Sequence, residues 1–310
     1  MSEVFVEVER REHGITMLTL NRPERRNALG ISLMEELCAA VDSANRDESQ
    51  RVIILRGAGP VFCAGLDLKE TQPGVAGTKV PSRVGKPSDR ASGLGSRVSG
   101  LEENAVELDR PLQTAEQQSE LAHRSVELVA RTLEAVSCAR PVTIAAVHGA
   151  AIAGGAGLMS ACDLVVASEE TKIGYPEVRR GLVAALVMTF MRRQMHERHV
   201  RELLVLAEPI DAARARDMGL VNRVVPTGAA FDEALKLAHL VLKGAPGALA
   251  HSRAMLRELW PRTIQQDLAW ALEHHKTARA SAESLEGIAA FNEKRLPKWD
   301  PEAEKRGSGD

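Results

Sequence analysis

The sequence predicts an α/β fold with a helical C-terminal body, and three observations carry that prediction. Residues 52–55, 142–147 and 164–167 are short unbroken apolar runs, the mark of strands buried on both faces. Helical spacing of apolar residues falls between them, at 33–44 and 119–136. Beyond about residue 177 the pattern is mostly helical, apart from a strand-like run at 220–225. Strands alternating with helices, followed by helices, define that class.

The elements follow in chain order. Residues 4–8 mix apolar and charged side chains in near alternation, and 15–20 follow a His-Gly turn, so the two read as a hairpin. Ser32 is the expected cap of the helix at 33–44. The run at 52–55 ends in the turn at 57–60. Residues 72–110 are rich in Gly, Ser, Pro and scattered charge with almost no apolar periodicity, as expected of a mobile insertion. Residues 154–161 read as a short helix between two buried strands.

Composition narrows the function. The chain has 310 residues, 44% of them hydrophobic and 26% charged, within the range of globular proteins. Its net charge of -2 provides no electrostatic footprint for nucleic acid or an anionic membrane. Phe, Trp and Tyr are scarce, which disfavours stacking on bases. Cys38, Cys63, Cys138 and Cys162 form no Cys-x-x-Cys pair and read as reduced thiols. The first twenty residues lack the apolar core of a secretory signal, so a cytoplasmic location is expected. Residues 141–162 carry no Asp, Glu, Lys or Arg, but their four glycines, His148, Thr143 and Ser160 favour a buried strand-turn-helix over a membrane span. The histidine pairs His196/His199 and His274/His275 have poor metal-ligand spacing and read as exposed-face residues, with no metal expected.

Two glycine-rich turns stand out. Phe62-Cys63-Ala64-Gly65-Leu66-Asp67-Leu68-Lys69-Glu70 follows a buried strand, and its small residues leave amide N–H groups free to face a ligand, with Asp67 able to cap the helix beyond. The second, from Val147-His148-Gly149 to Gly154-Gly155-Ala156-Gly157, also runs from a buried strand into a helix start. It lacks the third glycine of a dinucleotide fingerprint, and no mononucleotide-binding unit precedes it. Two N–H groups converging on one oxygen would make an oxyanion hole for an enolate or a tetrahedral intermediate.

With Tyr175-Pro176-Glu177 after them, these turns resemble the crotonase superfamily, the enoyl-CoA hydratase/isomerase family. Asn21-Arg22-Pro23 with Asn27-Ala28-Leu29 resembles its N-terminal CoA-contacting segment. Ala207-Glu208-Pro209-Ile210 through Gly219-Leu220-Val221-Asn222-Arg223-Val224-Val225-Pro226 and Phe291-Asn292-Glu293-Lys294-Arg295-Leu296-Pro297 resemble its later chain. The resemblance implies a crotonase-like spiral ββα core over 1–200, with the insertion at about 72–110, and a helical trimerisation region over 201–310. It implies an oxyanion hole from the N–H groups of Leu66 and Gly154. Ala28, Ala64, Asp67, Leu68, Lys69 and Lys294 would then bind substrate and CoA. Coenzyme A enters as part of the acyl-CoA substrate and no separate cofactor is implied; the expected assembly is a homotrimer or a dimer of trimers.

The chain departs from the two-glutamate hydratases of this family at Gly157, where they carry a Glu, and keeps the second at Glu177. Glycine cannot exchange a proton, so one carboxylate must do the work. A Glu after a Pro at a helix start is also favoured by the helix dipole alone; the flanking motifs make Glu177 the expected catalytic residue. Pro176-Glu177-Val178 with Gly181-Leu182 resembles the family's hydratases, whereas Ala185 stands where its dienoyl isomerases have an Asp. The expected activity is therefore enoyl-CoA hydration; double-bond isomerisation and a non-catalytic acyl-CoA-binding protein are the alternatives.

Overall fold

In the computed structural model, which describes residues 3–67, 115–180 and 182–259 together with 282, 283, 286, 290, 293 and 295–303, the apolar runs form a six-stranded sheet of order β1-β2-β3-β4-β6-β9. The strands are β1 (Val6–Arg11), β2 (Ile15–Leu20), β3 (Val52–Gly57), β4 (Val142–Val147), β6 (Leu164–Ser168) and β9 (Arg223–Val225). β1 pairs antiparallel with β2, and every later pairing is parallel. The expected hairpin is present, its first strand displaced toward the charged residues that follow Val8.

Each central strand is buried on both faces, which is why its sequence does not alternate. Ile53 and Leu55 enter one core beside Leu37 and Val41 of α1 (Ile31–Arg46). Their neighbours Val52 and Ile54 enter the other, beneath Ala234, Leu237 and Ala238 of α7 (Ala230–Leu242). On β4, Ala145 and Val147 join the first core while Val142, Ile144 and Ala146 join the second. Each large aliphatic side chain buried in this way contributes about 1.5–3 kcal/mol.

The first core is completed by α2 (Ala115–Ser137), α3 (Gly154–Ser160), α4 (Ala185–Gln194), α5 (Glu197–Leu206) and α6 (Ala212–Met218); α8 (Pro246–Glu258) follows α7. α1 begins at Ile31, so Ser32 lies inside the helix rather than capping it. The chain enters through Gly30 in an extended conformation, and glycine has no side chain with which to cap that end. The far end is closed by Arg140, whose guanidinium donates to the carbonyls of Ala44, Asn45, Asp47 and Gln50. These include carbonyls a helix terminus leaves without partners.

Three very short strands, β5 (Ala150–Ile152), β7 (Lys172–Gly174) and β8 (Ile210–Asp211), form a second sheet in the order β5-β7-β8. At two or three residues each they are too brief for any period to register. The insertion at 72–110, Leu68, Lys69, Lys294, His274 and His275 lie outside the described residues.

Candidate active site

The small sheet is what assembles the site. β5 and β7 run parallel with Ile152 opposite Gly174, and the Ala153 N–H donates to the Gly174 carbonyl at 2.8 Å. Gly154 and Glu177 therefore leave the same end of two adjacent strands. The first glycine-rich turn docks against the second: Phe62 N–H donates to His148 O at 3.0 Å, Cys63 N–H to Ala150 O at 3.1 Å, and Ile152 N–H to Cys63 O at 3.1 Å. Gly65 has φ +92°, and a Cβ there would sit 2.7 Å from the Ile152 carbonyl oxygen, so the close approach requires glycine.

This docking brings Leu66 and Gly154 together. A Cβ built on Gly154 would stand 3.6 Å from the Leu66 amide nitrogen. Among the described residues neither the Leu66 nor the Gly154 N–H donates to a backbone carbonyl. Ala153, just before Gly154, has φ 50° and ψ -121°, a left-handed conformation that disfavours alanine.

A third segment holds the first turn from the opposite side. Leu29 N–H donates to Gly65 O at 2.8 Å and Asp67 N–H to Leu29 O at 3.1 Å, while Ala64 N–H donates to Arg26 O at 3.0 Å. Ala28 lies partly exposed on this segment. Asn27 is fully buried; its Oδ1 accepts from the Arg22 N–H, and its Nδ2 donates to the carbonyls of Ala58 and Val61. Asp67 is buried beneath Arg22 and Arg25, with guanidinium nitrogens at 3.2 and 3.3 Å from its Oδ2. Its carboxylate thus meets the arginines of the N-terminal segment; the helix it was expected to cap lies outside the described residues.

Glu177 opens a single 3-10 turn (Glu177–Arg180) and is half-buried, with Oε2 shielded from solvent. Two residues earlier, Tyr175 is buried in the core and its phenol lies 3.3 Å from Ser160 Oγ. Burial raises the Tyr175 pKa; the Ser160 hydrogen bond opposes the rise and the Glu177 charge adds to it. The phenol therefore stays neutral at physiological pH. Gly157 is buried on α3, and a Cβ there would collide with Cγ1 of Val187 on α4.

Cys63 Sγ donates to Asn27 O, and burial pushes this thiol up to about 12, which removes it as a nucleophile. All four cysteines are free. His199 is half-buried at 6.1 Å from the His196 ring, a correction to the expected exposed face. Among the described residues no group of three His, Cys, Asp or Glu is placed to hold a metal, and no helix is long and apolar enough to cross a membrane.

The sequence pointed to both turns and to Glu177. It did not reveal Asn27 as a clamp or Val187 as the neighbour of Gly157. Asn27 sits at φ 54°, where Asn is the tolerated polar residue, but one sequence does not announce a left-handed position.

Comparison with known proteins agrees with this architecture. The model of the enoyl-CoA hydratase/isomerase family matches residues 10–83 and 111–302. The chain belongs to that family, within the crotonase superfamily. A relative from Thermus thermophilus is 34% identical over 288 residues, covering 92% of this chain and 97% of that one. The enoyl-CoA hydratase EchA19 of Mycobacterium tuberculosis is 31% identical over 296 residues, covering 94% and 95%. Among solved structures, an enoyl-CoA hydratase of Mycobacterium smegmatis superposes with a TM-score of 0.76 at 28% identity, over 96% of this chain and 99% of that one.

Proposed function

We propose that this chain is an enoyl-CoA hydratase that adds water across the 2,3 double bond of an acyl-CoA thioester with one carboxylate. The observation that carries the reading is the approach of the Leu66 amide to Gly154, two donors from separate turns that give no backbone hydrogen bond among the described residues. Both N–H groups grip the thioester oxygen. Glu177 takes a proton from water as the water oxygen bonds to carbon 3. The π electrons move to the thioester oxygen, where the enolate is held. Glu177 then returns the proton to carbon 2, the enolate collapses, and the carboxylate is regenerated. Each donor of this type lowers the barrier by about 2.7–4 kcal/mol.

Asp67 and Ala64 hold the CoA-side wall, and Asp67 fixes the arginines of the N-terminal segment beside it. Leu68, Lys69 and Lys294 are proposed CoA contacts on the resemblance alone, as is a homotrimeric assembly. Glycine at 157 keeps isomerisation as the second reading, since one carboxylate suffices to carry a proton between carbons 2 and 4.

Glu177→Gln tests the assignment. Crotonyl-CoA hydration should fall about 10²–10⁴-fold with thioester binding retained. Full turnover by the variant overturns it. In D₂O, wild type should give a product with deuterium at carbon 2 and hydroxyl at carbon 3; a shifted double bond without added water selects the isomerase.

A further inference from the structure

Two side chains from distant parts of the chain hold the turn that leads into the first glycine-rich segment. Asn27 Nδ2 donates to the carbonyls of Ala58 and Val61 at 2.8 and 2.9 Å. Between them the Gly59 carbonyl lies 2.9 Å from Nε2 of His148. A carbonyl oxygen carries no proton, so Nε2–H is the donor, in the neutral ring and in the imidazolium alike. The main chain of His148 meets the same stretch, its carbonyl accepting from the Phe62 N–H at 3.0 Å. At the next residue Gly149 has φ +62°, and a Cβ there would collide with the Pro60 carbonyl oxygen. His148 is half-buried and stands between the end of β4 and the start of β5, at the base of the second turn. Glu170 interacts with the same ring. Burial would raise its carboxyl pKa, but Thr227 Oγ1 at 2.7 Å, backbone N–H groups including that of Gly149, and the charge of protonated His148 hold it below the usual range.

We infer that His148 is a positioning residue for the oxyanion donors. Its Nε2–H closes on Gly59 O while its own carbonyl takes the Phe62 N–H, which fixes the first turn against the second and sets the separation of the Leu66 and Gly154 amides. This rests on the proposed reading, in which those two amides hold the thioester oxygen. From Phe62 to the donors the contact is continuous. Cys63 N–H bonds to Ala150 O and Ile152 N–H to Cys63 O, both at 3.1 Å, and a Cβ built on Gly65 would lie 3.3 Å from the Gly154 nitrogen. Without the ring hydrogen bond the backbone ladder to β5 remains, but the turn before Phe62 gains freedom and the Leu66 amide shifts against Gly154. Such a shift is small for binding, which is spread over the whole thioester. It is large for a charge that develops on one oxygen.

The test uses the full-length protein with two thioesters: butyryl-CoA, isotope-labelled at its carbonyl, which binds without reacting, and crotonyl-CoA for turnover. Infrared difference spectra read how strongly the bound carbonyl is polarised. In wild type its stretch should lie below that of the free thioester, and H148A should lose a large part of that displacement. In the same variant kcat should fall about ten- to a hundredfold, with the butyryl-CoA dissociation constant changed less than about threefold. H148Q supplies an amide N–H toward Gly59 O without the charge of the ring, and should recover most of kcat and of the displacement. A histidine that only stabilises the fold would lower the thermal midpoint and leave kcat and the carbonyl stretch of the folded H148A protein unchanged; that result overturns the inference. H148Q behaving as H148A overturns it as well, since the effect would then belong to the charge beside Glu170. The two possible failures are distinct. No displacement in wild type overturns the oxyanion reading and this inference with it, whereas a wild-type displacement kept in full by H148A overturns the inference alone.

Discussion

A methyl group on Gly154 would stand 3.6 Å from the amide nitrogen of Leu66 and 3.3 Å from Leu29 Cδ1. It would enter the space between the two donors assigned to the thioester oxygen. Gly154→Ala should therefore keep the fold and lose the reaction. Alanine is the better helix former by about 1 kcal/mol, and Gly154 is the first residue of α3, so stability should hold or rise. Blocking one donor should lower kcat about 10²–10³-fold. A thermal melt at or above wild type, with that loss of turnover, is the expected pair of results. Unchanged kcat would remove Gly154 from the mechanism.

The residue before it makes the opposite trade. Ala153 holds φ 50° and ψ -121°, and a non-glycine residue in such a region costs about 1–3 kcal/mol. Ala153→Gly removes that strain and adds about 0.4–1 kcal/mol of chain entropy to the unfolded state. The strain is the larger effect, so the variant should be more stable by about 1 kcal/mol in urea denaturation. A less stable variant would mean that the surrounding hydrogen bonds hold alanine there without strain.

What the sequence made legible follows from how the signals arise. The buried strands declared themselves because burial on two faces demands an unbroken apolar run, as Val52-Ile53-Ile54-Leu55 supplies. The two turns declared themselves because close backbone approach demands small residues, as Gly65 does against the Ile152 carbonyl. The second sheet gave no signal, its strands being shorter than any hydrophobic period. Val187 and Asn27 act through contacts 30 or more residues away in the chain, and a single sequence carries no trace of such pairs.

The cysteines give a chemical check on the packing. Cys38, Cys63 and Cys162 are buried and Cys138 is exposed. A thiol held at about 12, like Cys63, is ionised at pH 8 in roughly one molecule in 10⁴. A disulfide reagent should titrate one thiol quickly in the native protein and four after unfolding. The raised values of Cys63, Cys162 and Tyr175 also fix a pH slope. Their native forms keep protons that the unfolded chain loses above its ordinary thiol and phenol values. Their stabilisation is complete below about pH 9 and declines above it, so the urea midpoint should be lower at about pH 10.5 than at about pH 8. A rise over that interval would contradict the burial of these groups.

Asn27 joins stability to function. Its side chain makes three hydrogen bonds from a fully buried site at φ 54°, to the Arg22 N–H and the carbonyls of Ala58 and Val61. Alanine deletes all three, leaves their part-buried partners without a replacement, and is less tolerant of the left-handed backbone; a loss of about 2–3 kcal/mol is expected. Aspartate keeps an acceptor for the Arg22 N–H but cannot donate to the two carbonyls, so it should weaken the fold as well. The effect should reach the reaction, because the segment that Asn27 anchors supports the first turn through Leu29 N–H to Gly65 O and Asp67 N–H to Leu29 O, on either side of Leu66. A donor displaced by a fraction of an ångström costs catalysis more than binding. Asn27→Ala, assayed well below its melting point, should show kcat reduced by about ten- to a hundredfold with a smaller change in KM. A destabilised variant with native kcat would show that Leu66 keeps its place without this clamp, and would leave Asn27 a purely structural residue.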